Sequence, residues 1–112
     1  MLEKMTGEYV RYLDLLSTRQ KLVASNVANA DTPGYQTQDI DFQFEFMSLT
    51  KDMHPQNINV PGLKQKPDGN NVDIDRESRM LAENAMRFNV ASTLLRGKLK
   101  TVQEAIQGGT GA

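Results

Sequence analysis

The sequence predicts a mainly α-helical chain in which two long helices, one near each end, pair as an antiparallel coiled-coil hairpin around an irregular connecting segment with short extended pieces. Three observations predict it. Apolar residues recur every seven positions near both ends. The stretch between, residues 32–72, is rich in Pro, Gly, Asn and Asp, and Thr32-Pro33-Gly34-Tyr35 stands where the first heptad run stops. A seven-residue repeat with two apolar positions is the pattern of helices that meet along a seam.

In the N-terminal run, Leu2, Tyr9, Leu16, Val23 and Ala30 form one row, and Thr6, Leu13, Gln20 and Val27 form the other. A helix over about residues 2–31 follows, and its stretch from Leu2 to Ala30 is roughly 43 Å long at 1.5 Å per residue. Gln20 is the polar exception and can specify register. Pro33 cannot continue a helix, because it lacks an N–H and its ring clashes with the preceding turn. Thr32 before it is pushed toward extended dihedrals. Gly34 suits the positive φ that the third position of a type II turn requires. Asn26 and Asn29, just upstream, are poor helix-interior residues because their amides compete for backbone groups. Two roles are open to them: unwinding and capping the helix end, or hydrogen bonding across a subunit contact that the small Ala24, Ser25, Ala28 and Ala30 would allow.

In the middle, Ile40, Phe42, Phe44 and Phe46 alternate with acidic and amide residues, a period of two that predicts an extended segment over Gln36–Phe42. Phe42, Phe46, Leu49 and Met53 are also spaced three or four apart, so Phe44–Met53 is open between strand and helix. His54-Pro55, Pro61-Gly62 and Pro67-Asp68-Gly69 signal turns. Short strands are expected around Ile58–Val60 and Asn71–Ile74.

A second helix is expected over about residues 75–107. Ile74, Leu81, Phe88, Leu95 and Val102 make one row, and Ser78, Ala85, Ser92, Leu99 and Ile106 the other. Asp73 or Asp75 can cap it, Glu77 puts negative charge in its first turn, and Glu83 with Arg87 forms an i,i+4 pair. Gly108 and Gly109 are expected to end it, leaving a frayed tail over 108–112. Met80, Ala91 and Leu94 widen the apolar face beyond what one partner helix covers, so a second contact is expected.

The totals narrow the function. Thirteen basic and fourteen acidic residues leave a net charge of −1 over 112 residues, and cysteine is absent. No global field draws the chain to nucleic acid or lipid, and no thiol is present for a disulfide, a metal or nucleophilic catalysis. No apolar run approaches the roughly 20 residues that span a bilayer. The first residues lack the basic-then-apolar pattern of a cleaved leader. His54 has no neighbouring nucleophile or orienting acid to make it a general base. Asp68, Asn70, Asp73 and Asp75 resemble a calcium loop until Val72 and Asp73 fall at its fifth and sixth positions, where a polar ligand and Gly are needed. Arg96, Lys98 and Lys100 read as a solvated helix face. No catalytic, cofactor or metal group is nominated.

The run Leu22-Val-Ala-Ser-Asn-Val-Ala-Asn-Ala-Asp-Thr-Pro-Gly-Tyr35 closely resembles the N-terminal signature of the bacterial flagellar axial proteins, the rod and hook family. Asp68-Gly-Asn-Asn-Val-Asp-Ile-Asp-Arg-Glu77, followed by Leu81-Ala-Glu-Asn84, is similar to the C-terminal half of its proximal-rod branch. The resemblance implies a structural subunit of the basal-body rod, in the periplasm, that helps to form the torque-transmitting drive shaft. Its implied partners are copies of itself, other rod subunits, the adaptor joining rod to membrane ring, and the flagellar type III export apparatus, through which it would pass without a cleaved signal. No nucleic acid, cofactor or membrane insertion is implied. The assembly interface is expected at Leu13, Leu16, Val23, Asn26, Val27, Asn29, Thr32, Pro33, Gly34, Tyr35, Leu81, Asn84, Phe88, Leu95, Leu99, Val102 and Ile106. A soluble coiled-coil adaptor that binds one partner without polymerising is the competing reading.

Overall fold

A computed structural model describes residues 2–48 and 54–110. Its elements in chain order are helix α1 (Leu2–Ala28), strand β1 (Gln38–Ile40), helix α2 (Phe42–Met47), strand β2 (Asn57–Asn59) and helix α3 (Ile74–Thr110). The molecule is a rod, 71 × 27 × 18 Å, with a radius of gyration of 18.6 Å. A compact domain of this length would have a radius of gyration of about 13 Å. Two long helices lying side by side account for the difference.

The hairpin is antiparallel, as the heptads predict. Asn26 of α1 meets Glu77 near the start of α3, and further along Asn84 donates to the Leu16 carbonyl and to Gln20. Leu15, Leu16 and Val23 of α1 and Ala91 of α3 are buried. The contact faces are rotated from the predicted seams, however. On α3 the buried residues are Glu77, Asn84 and Ala91, while Ile74, Leu81, Phe88, Leu99 and Ile106 of the predicted rows stay exposed. On α1, Leu15 and Asn26 are buried and Val27 is exposed. The heptad spacing is right, but its phase is set by buried polar groups that an apolar count passes over.

α1 ends as the proline dictates. The Asn29 N–H still reaches the Ser25 carbonyl, the next bonds tighten to i→i+3 (Ala30 to Val27, Thr32 to Asn29), and the Tyr35 N–H bonds the Thr32 carbonyl. With Gly34 at φ +75° this is the predicted type II turn. At the other end α3 runs through Gly108 and Gly109 to Thr110, beyond the expected stop. Glycine costs a helix about 1 kcal/mol of propensity and keeps its N–H, whereas proline costs about 3 kcal/mol and removes a hydrogen bond.

The middle is part strand, part helix. β1 pairs antiparallel with β2, Asp39 opposite Ile58. Phe42 begins α2, where the period-two reading had kept it extended. Asp41 caps α2 by accepting from the Phe44 N–H at 3.1 Å, and i,i+4 spacing sets Phe42 and Phe46 on one side of it. Tyr12 of α1 meets both rings edge-on, with centroids at 5.3 and 5.8 Å, and the Arg19 guanidinium lies 5.1 Å above Phe42. Helix wins because one turn delivers two aromatic rings to α1. Leu49 and Met53, which the helical spacing included, lie outside the described residues. The expected strand at Asn71–Ile74 is absent: its first residues are held by side-chain bonds, and Ile74 opens α3. Among the described residues no helix is long and apolar enough to cross a membrane.

Candidate assembly surfaces

The predicted interface residues divide into a polar joint, where the chain turns, and two apolar arms. The joint begins at Asn26, which is fully buried. Its amide nitrogen donates to the Gln38 carbonyl at 2.9 Å and to Glu77 Oε2 at 3.1 Å, while its oxygen accepts from the Gln38 N–H at 3.0 Å and from the Tyr35 hydroxyl at 2.9 Å. Asn26 thus pins α1, β1, the turn and α3 together. Its amide is spent within the chain. Asn29 follows the helix-ending role, donating to the Ser25 carbonyl and accepting from the Thr32 hydroxyl.

Behind Asn26 runs a chain of charge. Arg19 donates to Asp39 Oδ1 at 3.0 Å, Arg76 donates to Asp39 Oδ2 at 2.6 Å and to Glu77 Oε1 at 2.7 Å, and Glu77 is completely buried. Two cations alternate with two carboxylates, so the group is neutral as a whole. Its formation costs desolvation, and losing one member would strand a buried charge at about 3–5 kcal/mol. No buried side-chain nitrogen or oxygen among the described residues lacks a partner.

Two loops close over the end of α1. Asn70, fully buried, donates to the carbonyls of Asn29 and Thr32, both at 2.8 Å, and accepts from the Val72 N–H. It supplies the C-terminal cap that α1 needs. Asn71 accepts from the Thr37 N–H at 2.7 Å, Gln36 donates to the Gly69 carbonyl at 2.8 Å, and the Gly34 N–H bonds the Asp68 carbonyl at 2.9 Å. The backbones touch here: a Cβ on Gly69, whose φ is +88°, would lie 3.2 Å from the Gly34 Cα. Asp68 and Asp73, weighed as calcium ligands, have local work. Asp68 accepts from the Asn70 N–H, and Asp73 rather than Asp75 caps α3 by accepting from the N–H groups of Asp75 and Arg76.

Leu16, Val23, Asn26 and Asn84 are thus buried inside the single chain, and Leu13, Asn29, Tyr35, Leu95 and Val102 are half-buried. Thr32, Pro33 and Gly34 form an exposed knuckle at the joint end, and Val27, Leu81, Phe88, Leu99 and Ile106 face outward. The structure does not bring these outward residues to one site; it strings them along the rod. Sequence reasoning missed Arg19, Thr37, Asp39, Asn70, Asn71 and Arg76, and took Glu77 for a first-turn charge. The clue to the two asparagines was their pairing directly after a turn signal.

On its other side, α3 exposes Met86, Val90 and Leu94, at 67%, 55% and 50%. They face Met5, Tyr9 and Tyr12 of α1 across a furrow of about 620 Å³. Phe46 of α2 lines it beside Tyr12, and Glu8, Arg87 and Lys98 stand along its sides.

A rigid, fully hydrogen-bonded joint carrying two helical arms with apolar strips outside their own contact defines a structural, helix-pairing protein. Comparison with known proteins specifies the kind. Residues 13–36 match the family model for flagella basal body rod proteins. The flagellar basal body rod protein FlgB of Yersinia ruckeri is 34% identical over 138 residues, covering 97% of this chain and all of the relative. FlgB of Salmonella typhimurium is 34% identical over 122 residues, covering 87% and 88% of the two chains. FlgB of Borrelia hermsii is 30% identical over 123 residues, covering 87% and 91%. The chain belongs to the FlgB family of flagellar basal body rod proteins. The matched segment 13–36 spans Arg19, Asn26 and the Thr-Pro-Gly-Tyr turn, so the family pattern falls on the joint.

Proposed function

We propose that this chain is a structural subunit of the proximal part of the basal-body rod, added to the growing shaft through its outward helix faces and carrying torque across many packed helices. The observation that carries the reading is the apolar surface left outside the hairpin: Leu81, Phe88 and Leu99 on one side of the α3 contact, Met86, Val90 and Leu94 on the other. A monomeric protein rarely leaves such strips uncovered, and burying them at about 25 cal/mol per Å² would drive helix association. An adaptor for one partner would need one strip, not two. The polar joint would hold each subunit's arms at one angle, with Val27 and the Thr32-Pro33-Gly34 knuckle meeting a neighbour. The partners are other rod subunits and further copies of the chain, the adaptor that joins rod to membrane ring, and the export apparatus that delivers it without a cleaved leader.

The test is deletion of the gene, followed by complementation with the wild type or with Phe88→Asp or Leu99→Asp. Loss of swimming and of complete basal-body rods is expected in the deletion strain, with rescue by the wild type alone. Full motility after deletion would overturn the reading.

A further inference from the structure

Residues 70–73 end one long helix and begin the other. Asn70 closes the tightened turns after α1, its amide nitrogen donating to the Asn29 and Thr32 carbonyls, both at 2.8 Å. Asp73 then opens α3. Its carboxylate accepts from the N–H groups of Asp75 and Arg76 at 3.0 and 3.3 Å, and its carbonyl accepts from the Glu77 N–H at 3.0 Å. No slack separates the two caps. The Asn70 side-chain oxygen accepts from the Val72 N–H at 2.8 Å, Asn70, Asn71 and Val72 are all buried, and Asn71 is tied twice to Thr37. Elsewhere the helices hold each other loosely. Among the described residues of α3 only Glu77, Asn84 and Ala91 are buried, and none of them is large and apolar.

We propose that residues 70–73 are a relay of helical order: forming the end of α1 sets the start of α3, and forming the start of α3 sets the end of α1. The physical reason is the cost of starting a helix. Its first turn fixes several residues for a single hydrogen bond, so a helix forms readily where something fixes that turn beforehand. Once Asn70 is bonded to the end of α1, Asp73 is held where it can start α3. Conversely, an α3 already formed fixes Asp73 and, through Val72, brings Asn70 to the Asn29 and Thr32 carbonyls. Coupling of this kind is reciprocal, since each end changes the equilibrium of the other by the same factor.

In the rod subunit proposed above, a neighbour that orders either arm also begins the other, and the Thr32-Pro33-Gly34 knuckle forms in the same step. That consequence rests on the rod reading. The relay itself belongs to the single chain, so either can fail while the other stands.

Backbone chemical shifts of the purified full-length chain report helix population residue by residue. Recorded from trimethylamine N-oxide through buffer to urea, they sample both the ordered and the disordered form. Asn70→Ala removes the cap of α1, and Asp73→Ala that of α3. Each should lower the helix equilibrium about fivefold, the factor of a typical lost cap, in residues 22–28 and in residues 74–81 alike. Two glycines inserted between Val72 and Asp73 keep both caps but cut the link, and in that chain Asn70→Ala should lower residues 22–28 alone. Effects confined to the helix whose cap was removed, in the uninterrupted chain, would overturn the relay. So would an Asn70→Ala effect that still reaches α3 across the inserted glycines. A chain helical in neither segment at any osmolyte concentration refutes it too, because nothing is then relayed within one copy.

Discussion

The joint and the arms of this molecule are held by different chemistry. At the joint, Arg19, Asn26, Asp39, Asn70, Arg76 and Glu77 hold five segments through directional bonds of 2.6 to 3.1 Å, and the buried side-chain polar atoms described there are all satisfied. Along the arms, contact is by apolar side chains, many half exposed, and the lining of the furrow is open. Directional bonds tolerate one geometry, whereas apolar strips accept any helix of suitable spacing. The contrast separates the region that defines the subunit from the regions that meet others.

That contrast can be broken most forcefully at Glu77. Glu77→Ala removes the buried acceptor that Arg76 and the Asn26 amide share and leaves Arg19 and Arg76 with Asp39 alone, and a loss of about 3–5 kcal/mol is expected, enough to unfold a marginal domain in a urea titration followed by circular dichroism. Next comes Asn70→Ala, which orphans the Asn29 and Thr32 carbonyls at the end of α1. About 2 kcal/mol should be lost, and amide exchange should quicken first around residues 29–37. Gly69→Ala forces a Cβ against Gly34 at positive φ and should cost about 1–2 kcal/mol by the same titration. At the small end stands Val27→Asp. Val27 is 48% exposed, so the isolated chain should lose no more than about 0.5 kcal/mol, yet swimming in soft agar should fail if the residue meets a neighbour. If instead Val27→Asp destabilised the isolated chain as much as Glu77→Ala, the division between joint and arms would be wrong.

Much of the architecture is legible in the sequence. Heptads betray the two helices, and Thr32-Pro33-Gly34-Tyr35 betrays the turn, because both signals are local. Segment 42–47 is ambiguous for a physical reason: Phe42, Phe44 and Phe46 satisfy a period of two, while Phe42 and Phe46 also satisfy one helical turn. Tyr12 and Arg19 on α1, with the Asp41 cap, decide between them. The joint is the least legible part. Asp39 finds Arg19 across 20 residues and Arg76 across 37, and Asn26 finds Glu77 across 51. Charged residues scattered through a sequence look solvated until the fold gathers them. The same blindness shifts the seams, since Glu77 and Asn84 occupy positions on the α3 contact that a count of apolar residues leaves out.

The alternating charges of the joint also constrain how such a chain can change over generations. Arg19, Asp39, Arg76 and Glu77 each hold a neighbour's charge in place, so the fitness of a substitution at one position depends on what occupies the other three. Energies in such a set do not add. A lineage could exchange one of these residues only after, or together with, another, and each single step crosses a valley of instability. The arms impose no such order, and can drift one methyl group at a time to match a new neighbour.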